Sequence, residues 1–206
     1  MGKNIPGLQQ SRTLTEDDSV IVYEGTIGGA EENGVRKEAS LGQIKEAVGV
    51  LAGWIDYNDT TGDISLTSET WTSIPNNGLG AFSNSQYKPS GVTELMDTST
   101  GKIDPTELAL GDFIFIRNDF TVNPTINNSS LEFRYTLGAG AGAYTLEQSL
   151  GRLDRGSGIN YRFSLRIDSI YMGDTNTRDN HIGLEVKCSS NATLNNAGSV
   201  IEVIKQ

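Results

Sequence analysis

Residues 129–148, SSLEFRYTLGAGAGAYTLEQ, set Gly138, Gly140 and Gly142 between two strand-like runs. Glycine repeats of this kind can cradle a phosphate on bare backbone amides. A dinucleotide loop, however, needs G-x-G-x-x-G between a parallel strand and a helix. Here the spacing is G-x-G-x-G, YTLEQSL opens no apolar helical stripe, and no acidic residue follows in a βαβ frame. The P-loop pattern fails as well, for want of a closing Gly-Lys-Ser/Thr. GAGAGA therefore reads as a bend, or as a place where another backbone comes close, and no cofactor is expected.

A second cluster, GDTNTRDNH, gathers Asp174, Asn176, Asp179 and His181 in one loop. Their oxygen and imidazole donors could hold a divalent ion or a sugar hydroxyl. Asp and Asn also close turns on their own backbone, and that reading is favoured. DYNDTTGD (Asp56, Asn58, Thr60, Asp63) matches a calcium loop in part, but its glycine falls one place late and no glutamate closes it. Asp104 and Glu107 in KIDPTEL read as a proline-initiated turn. With one cysteine, Cys188, and one histidine, His181, no Ser-His-Asp or Cys-His arrangement stands out. Cys188 is expected to be buried in a strand, and no disulfide can form within one chain. Trp71, Tyr87 and Tyr171 could stack on sugar rings, although core packing is expected for them. An aromatic exposed beside Asp and Asn would speak for sugar binding. No enzyme is visible in this set of residues.

The elements that must carry these residues are mostly strands. The chain has 206 residues, 36% of them hydrophobic but grouped into patterned runs, which implies a folded chain with broad polar loops. Its 24 glycines, with frequent Asn, Ser and Thr, imply many tight turns. GDFIFIRNDFTV puts Phe113 and Phe115 on one face and Ile114 and Ile116 on the other, so this strand is expected to be interior or covered at an interface. SLEFRYTL alternates Leu131, Phe133, Tyr135 and Leu137 with polar partners, and INYRFSLRID does the same with Tyr161, Phe163, Leu165 and Ile167. HIGLEVKCSS and SVIEVIKQ continue the pattern. Short strands at regular spacing predict an antiparallel sandwich or jelly roll over residues 64–206.

Residues 1–53 read differently. Val20–Tyr23 form a short strand, a Gly-rich loop follows, and Ser40 with Gln43 matches a capping box. Leu41, Ile44, Val48 and Leu51 then share a helical face, with Gly53 as a stop. This strand–loop–helix unit is too small to bury its own core and is expected to dock onto something. Residues 54–63 are expected to connect it to the β domain. The net charge of −10 leaves no basic stripe for nucleic acid and disfavours anionic membrane. No run approaches a membrane-spanning helix and the start has no signal-peptide core, so a chain made and kept soluble in a cytoplasm is expected.

Two stretches resemble known modules. IPGLQQSRTLTEDDSVIVYEG followed by VRKEASLGQIKEAV resembles the N-terminal module of many bacteriophage tail-fibre and other virion surface proteins. The matching residues are Leu8, Leu14, Thr15, Asp17 or Asp18, Val20, Val22, Lys37, Leu41 and Ile44. From about residue 64 onward, SLTSETWTSIPNNGLGAFSN, GVTELMDTSTGKIDPTELALGDFIFIRNDFTV, LEFRYTLGAGAGAYTL and IYMGDTNTRDNHIGLEVKCSS are similar to C-terminal domains of phage structural proteins, jelly rolls of the trimeric tumour-necrosis-factor-like kind. The resemblance implies a homotrimer on the virion surface, anchored through Leu8, Leu14, Val20, Val22, Leu41 and Ile44 to the major capsid protein or a tail protein. Phe113, Phe115, Tyr135, Tyr161 and Phe163 become the candidates for the threefold interface. Three functions follow: a capsid decoration or cement protein, favoured by the short chain; a fibre tip whose loops 76–91 and 173–181 touch a host glycan or protein; or a free lectin-like module.

Overall fold

The computed structural model describes residues 19–23, 36–40, 49 and 51–206. The chain divides into two compact units, Met1–Val50 and Leu51–Gln206. In the first, β1 (Ser19–Tyr23) pairs antiparallel with β2 (Arg36–Ser40), Ser19 opposite Ser40 and Tyr23 opposite Arg36. The strand expected at Val20–Tyr23 is therefore present, and Val20 and Val22 lie on it. Ser40 is the last residue of β2, its backbone matched to Ser19, while Gln43 and the helix expected after it lie outside the described residues. Leu8, Leu14, Leu41 and Ile44 lie outside the described residues.

The second unit is built from β3 (Ala52–Asn58), β4 (Asp63–Leu66), β5 (Thr72–Ser73), β6 (Met96–Asp97), β7 (Lys102–Ile103), β8 (Phe113–Pro124), β9 (Ser129–Leu137), β10 (Tyr144–Leu153), β11 (Tyr161–Tyr171), β12 (Gly183–Cys188) and β13 (Ala192–Ile204). A one-turn helix, α1 (Thr175–Arg178), and a 3-10 turn, Gly140–Gly142, are its only helical pieces among the described residues. Residues 54–63, expected as a connector, supply most of β3 and the start of β4, and Gly53 lies inside β3 rather than ending a helix. The alternation of Ile55 and Tyr57, both buried, is what makes this stretch a strand.

One sheet has the order β11-β8-β13-β3, with β4 also paired to β13, and the other β10-β9-β12-β5. Every pairing is antiparallel. Apart from the β9–β10 hairpin, the chain crosses from sheet to sheet at each step from β8 to β13, so sequence neighbours seldom pair and β8 lies beside the last strand. This strand order makes the unit an antiparallel jelly roll.

The core lies between the sheets. Ile114, Ile116, Phe120 and Val122 of β8 face Leu131, Phe133, Tyr135 and Leu137 of β9 across it, all buried. Phe120 stacks at 6.3 Å from Phe133 and 5.3 Å from Phe163, and Phe133 meets Tyr135 edge-on at 5.1 Å. Only the start of β8, Phe113–Ile116, is apolar on both faces, and its outer side there is partly covered within the chain; the later outer positions Arg117, Asp119, Thr121 and Asn123 are polar. Phe113 rests on Tyr171 with ring centroids 5.0 Å apart, and the Arg166 guanidinium lies over Phe115 at 5.4 Å. The buried polar residue on β8 is matched too: Asn118 donates to the Tyr135 hydroxyl and accepts from Ser199 Oγ at 2.7 Å.

Candidate functional site

The GAGAGA bend packs against one side chain. Asn176 of α1 accepts from the Ala139 amide at 3.1 Å. A Cβ on Gly138 would lie 2.5 Å from Asn176 Nδ2, and one on Gly142 would lie 2.7 Å from it. Gly138 also has φ +70, so it both makes the turn and leaves room for the amide. Gly138 and Gly142 serve a close approach between two loops, whereas a Cβ on Gly140 would meet nothing within 4 Å.

The four residues expected as a ligand loop are spread over separate tasks. Asp174 caps α1, accepting from the Thr177 amide at 2.7 Å, and its carboxyl is held below the usual aspartate range by the bonds from Thr177. Asn176 serves the glycine bend. Asp179 pairs with Arg178 at 2.6 Å. The His181 ring stands between Asp97 and Asp104, 3.6 Å from each on opposite nitrogens. Those two carboxylates cannot share one ion with the ring, since they sit on opposite edges of it. Among the described residues no group of three His, Cys, Asp or Glu side chains is placed to hold a metal.

The other sequence candidates are also placed by local chemistry. Asp59 accepts from the Thr61 hydroxyl at 2.8 Å and the Asn77 amide at 2.8 Å, closing the DYNDTTGD turn. Asp104 closes its turn on Thr106, while Glu107 receives the Glu94 amide at 3.0 Å. Cys188 is wholly buried on β12. Of the interface candidates, Tyr135 is wholly buried between the sheets and has no surface to present. Phe113 and Phe115 are half-buried on the outer face of β8. Tyr161 and Phe163 pack against the core from β11, a sheet edge, and remain partly covered together with Leu165 of β11 and Leu146 and Leu150 of β10.

The aromatics expected in the core differ most from expectation. Trp71 is half-buried on the outer face of the second sheet, with Arg134 at 4.1 Å and Lys187 at 4.8 Å from its ring. Tyr87 is half exposed and packs on Trp54 at 5.0 Å, in the segment 76–91, which is bound along β3 by the Asp56–Asn84 backbone pair and leaves Leu79 and Phe82 exposed. Tyr171 is 52% exposed. A bulge is the cause: Ile167 pairs with Ile116 and Ile170 with Ile114, so β11 carries one extra residue there. The bulge reverses the alternation, putting Ile170 in the core and Tyr171 outside.

Tyr171 lines a slot at the edge where β10 and β11 close the sandwich. With Tyr144, Leu146, Ser169, Asp174 and Thr177 it lines an open surface cleft of about 340 Å³. Tyr144 is 43% exposed, and its hydroxyl is 3.3 Å from Thr177 Oγ1. A larger polar trough of about 550 Å³ runs over the outer face of the first sheet, lined by Asp63, Thr121, Asn123, Asn160, Thr193 and Asn195. Its amides are engaged with each other: Asn195 donates to Asp63 at 3.0 Å and Asn123 to Asn160 at 3.0 Å.

No family model matches the chain, and no curated protein matches it. Solved structures resemble it distantly. A structure of Eiger TNF from S. frugiperda matches at 13% identity and TM-score 0.35, over 77% of this chain and 93% of that one. The PRD1 vertex protein P5 matches at 14% identity and TM-score 0.38, over 98% and 90%. A structure of infectious bursal disease virus, Gx strain, matches at 12% identity and TM-score 0.35, over 75% of this chain and 32% of that one. The strand order, not these likenesses, makes the chain a jelly roll. Among the described residues no helix is long and apolar enough to cross a membrane.

Proposed function

We propose that the chain is a non-enzymatic structural protein of a bacteriophage virion, displayed on the particle surface as a homotrimer. In this reading the first unit anchors to the capsid and the jelly roll projects as a decoration. The observation that carries it is the pairing of a small unit containing the β1–β2 hairpin with a jelly-roll unit. These are the two parts that the phage-like stretches of the sequence imply. The partly covered apolar side chains Leu150, Tyr161, Phe163 and Leu165, toward the end of β10 and the start of β11, support self-association, because an edge of this kind is stabilised when a second surface covers it.

A second reading, a fibre or receptor-binding tip, is favoured by the exposed tyrosines of the β10–β11 slot and by exposed Leu79 and Phe82. Quantitative mass spectrometry of purified particles separates the two. Copy numbers on the scale of the major capsid protein are expected for a decoration, whereas numbers on the scale of a tail component would replace that reading with the tip. Absence of the chain from particles would overturn both.

A further inference from the structure

We propose that the slot between Tyr144 and Tyr171 binds a neutral saccharide, with a pyranose ring against the tyrosine faces and its hydroxyls on Asp174 and Ser169. A pyranose has an apolar C–H face and a polar rim, and the slot has the same division. Leu146 supplies apolar surface, the two tyrosines supply flat walls, and the Ser169 hydroxyl and Asp174 carboxylate oxygens border them. Its volume of about 340 Å³ lies at the small end of ligand sites, suited to a mono- or disaccharide.

Both walls are fixed before any ligand arrives. Tyr171 is held on one side by Phe113 at 5.0 Å, and its ring lies so close to Gly173 that a Cβ there would be 2.8 Å from Cε1. Tyr144 is within reach of Thr177 through its hydroxyl, and Thr177 is itself buried. Tyrosine offers a large amphipathic face with few torsions to freeze, and holding it in advance lowers the entropy cost of binding. Asp174 is kept ionised, and a carboxylate can accept about four hydrogen bonds, leaving capacity beyond the Thr177 amide. Among the described residues the lining has one carboxylate and no cationic side chain, so phosphorylated, sulfated and acidic sugars are disfavoured. The inference does not depend on whether capsid or tail carries the chain, nor on the virion reading.

The full chain is titrated by calorimetry and by saturation-transfer NMR with the methyl glycosides of glucose, galactose, mannose and N-acetylglucosamine, and with lactose, maltose and chitobiose. At least one of these is expected to bind saturably. Tyr171→Ala and Tyr144→Ala are each expected to weaken that binding by about tenfold or more. Tyr171→Phe, which keeps the flat face, and Tyr87→Ala, which lies elsewhere, are expected to leave it near the wild-type value. Asp174→Asn retains a cap acceptor, so it tests the carboxylate with α1 intact, and it is expected to weaken binding with unchanged circular dichroism. The proposal is overturned if no probe saturates the wild-type chain, or if the alanine variants bind as the wild type does. It is also overturned if those variants change only the oligomeric mass, since the slot would then be a contact between copies.

Discussion

Asp97 shows how much local bonding can do for a partly exposed carboxylate. It accepts from Ser99 Oγ at 2.6 Å, Thr100 Oγ1 at 2.7 Å and the Ser99 amide at 2.9 Å, and these bonds, Ser99's first, lower its pKa to about 2. A carboxyl lowered in the folded state stabilises the fold at pH above its ordinary value of about 3.9, and that contribution is lost as pH falls toward about 2. The Asp97 carboxyl carbon, followed by NMR, is therefore expected to titrate near 2. In Ser99→Ala the midpoint is expected to move up toward the ordinary range. A wild-type midpoint at the ordinary value would show that the β6–β7 turn does not hold the carboxylate in this way. His181, which faces Asp97 and Asp104, is placed by the same turn, and its position could not be read from the loop it belongs to in sequence.

At the scale of elements, the long strands of the jelly roll were legible because burial enforces a period of two. The faces expected for β9, with Leu131, Phe133, Tyr135 and Leu137 inward, are the faces found. Elements whose position depends on distant partners were not legible. β3 lies where a connector was expected because it pairs with β13 from the far end of the chain, Ile55 opposite Ile201. The slot was hidden for a related reason. The alternation of Tyr161, Phe163, Leu165 and Ile167, continued at period two, would point Tyr171 inward, and nothing in INYRFSLRIDSIY marks the extra residue that reverses the parity. GAGAGA reads in sequence as a bend or as the approach of another backbone; the group that approaches is the Asn176 side chain, remote in sequence. Asn176→Ala removes the acceptor for the Ala139 amide and the contact with Asn180 Nδ2 at 3.1 Å. It is expected to cost about 1–2 kcal/mol in urea unfolding, and to speed hydrogen exchange at Ala139 while leaving β9 amides protected. Unchanged exchange at Ala139 would mean that the bend is held by its own backbone.

For the whole molecule the decisive question is what covers the β10–β11 edge. Leu146, Leu150, Tyr161, Phe163 and Leu165 pack against the core yet are only partly covered, so the protomer leaves apolar surface at one side of the sandwich. A formal charge of −10 per copy opposes association at long range, and a stable contact between copies must overcome it through buried apolar area, about 800 Å² per partner for an ordinary interface. Two consequences follow for a trimer of this 22.2 kDa chain. Its dissociation should weaken as salt is raised, because screening removes the mutual repulsion of the copies. Leu150→Glu should separate it into monomers, with far-UV circular dichroism recorded alongside the mass to check that the fold persists, since Leu150 also touches the core. Leu150 is the extra residue where β10 passes from Ser149, opposite Glu132, to Gly151, opposite Leu131. A bulge residue lies outside the regular ladder, so a polar side chain there disturbs the sheet less than it disturbs a contact. Sedimentation equilibrium of the wild-type chain and of Leu150→Glu, at low and high salt, measures both effects. A wild-type mass equal to one chain at all salt concentrations would remove the trimer and leave the apolar edge to a different partner.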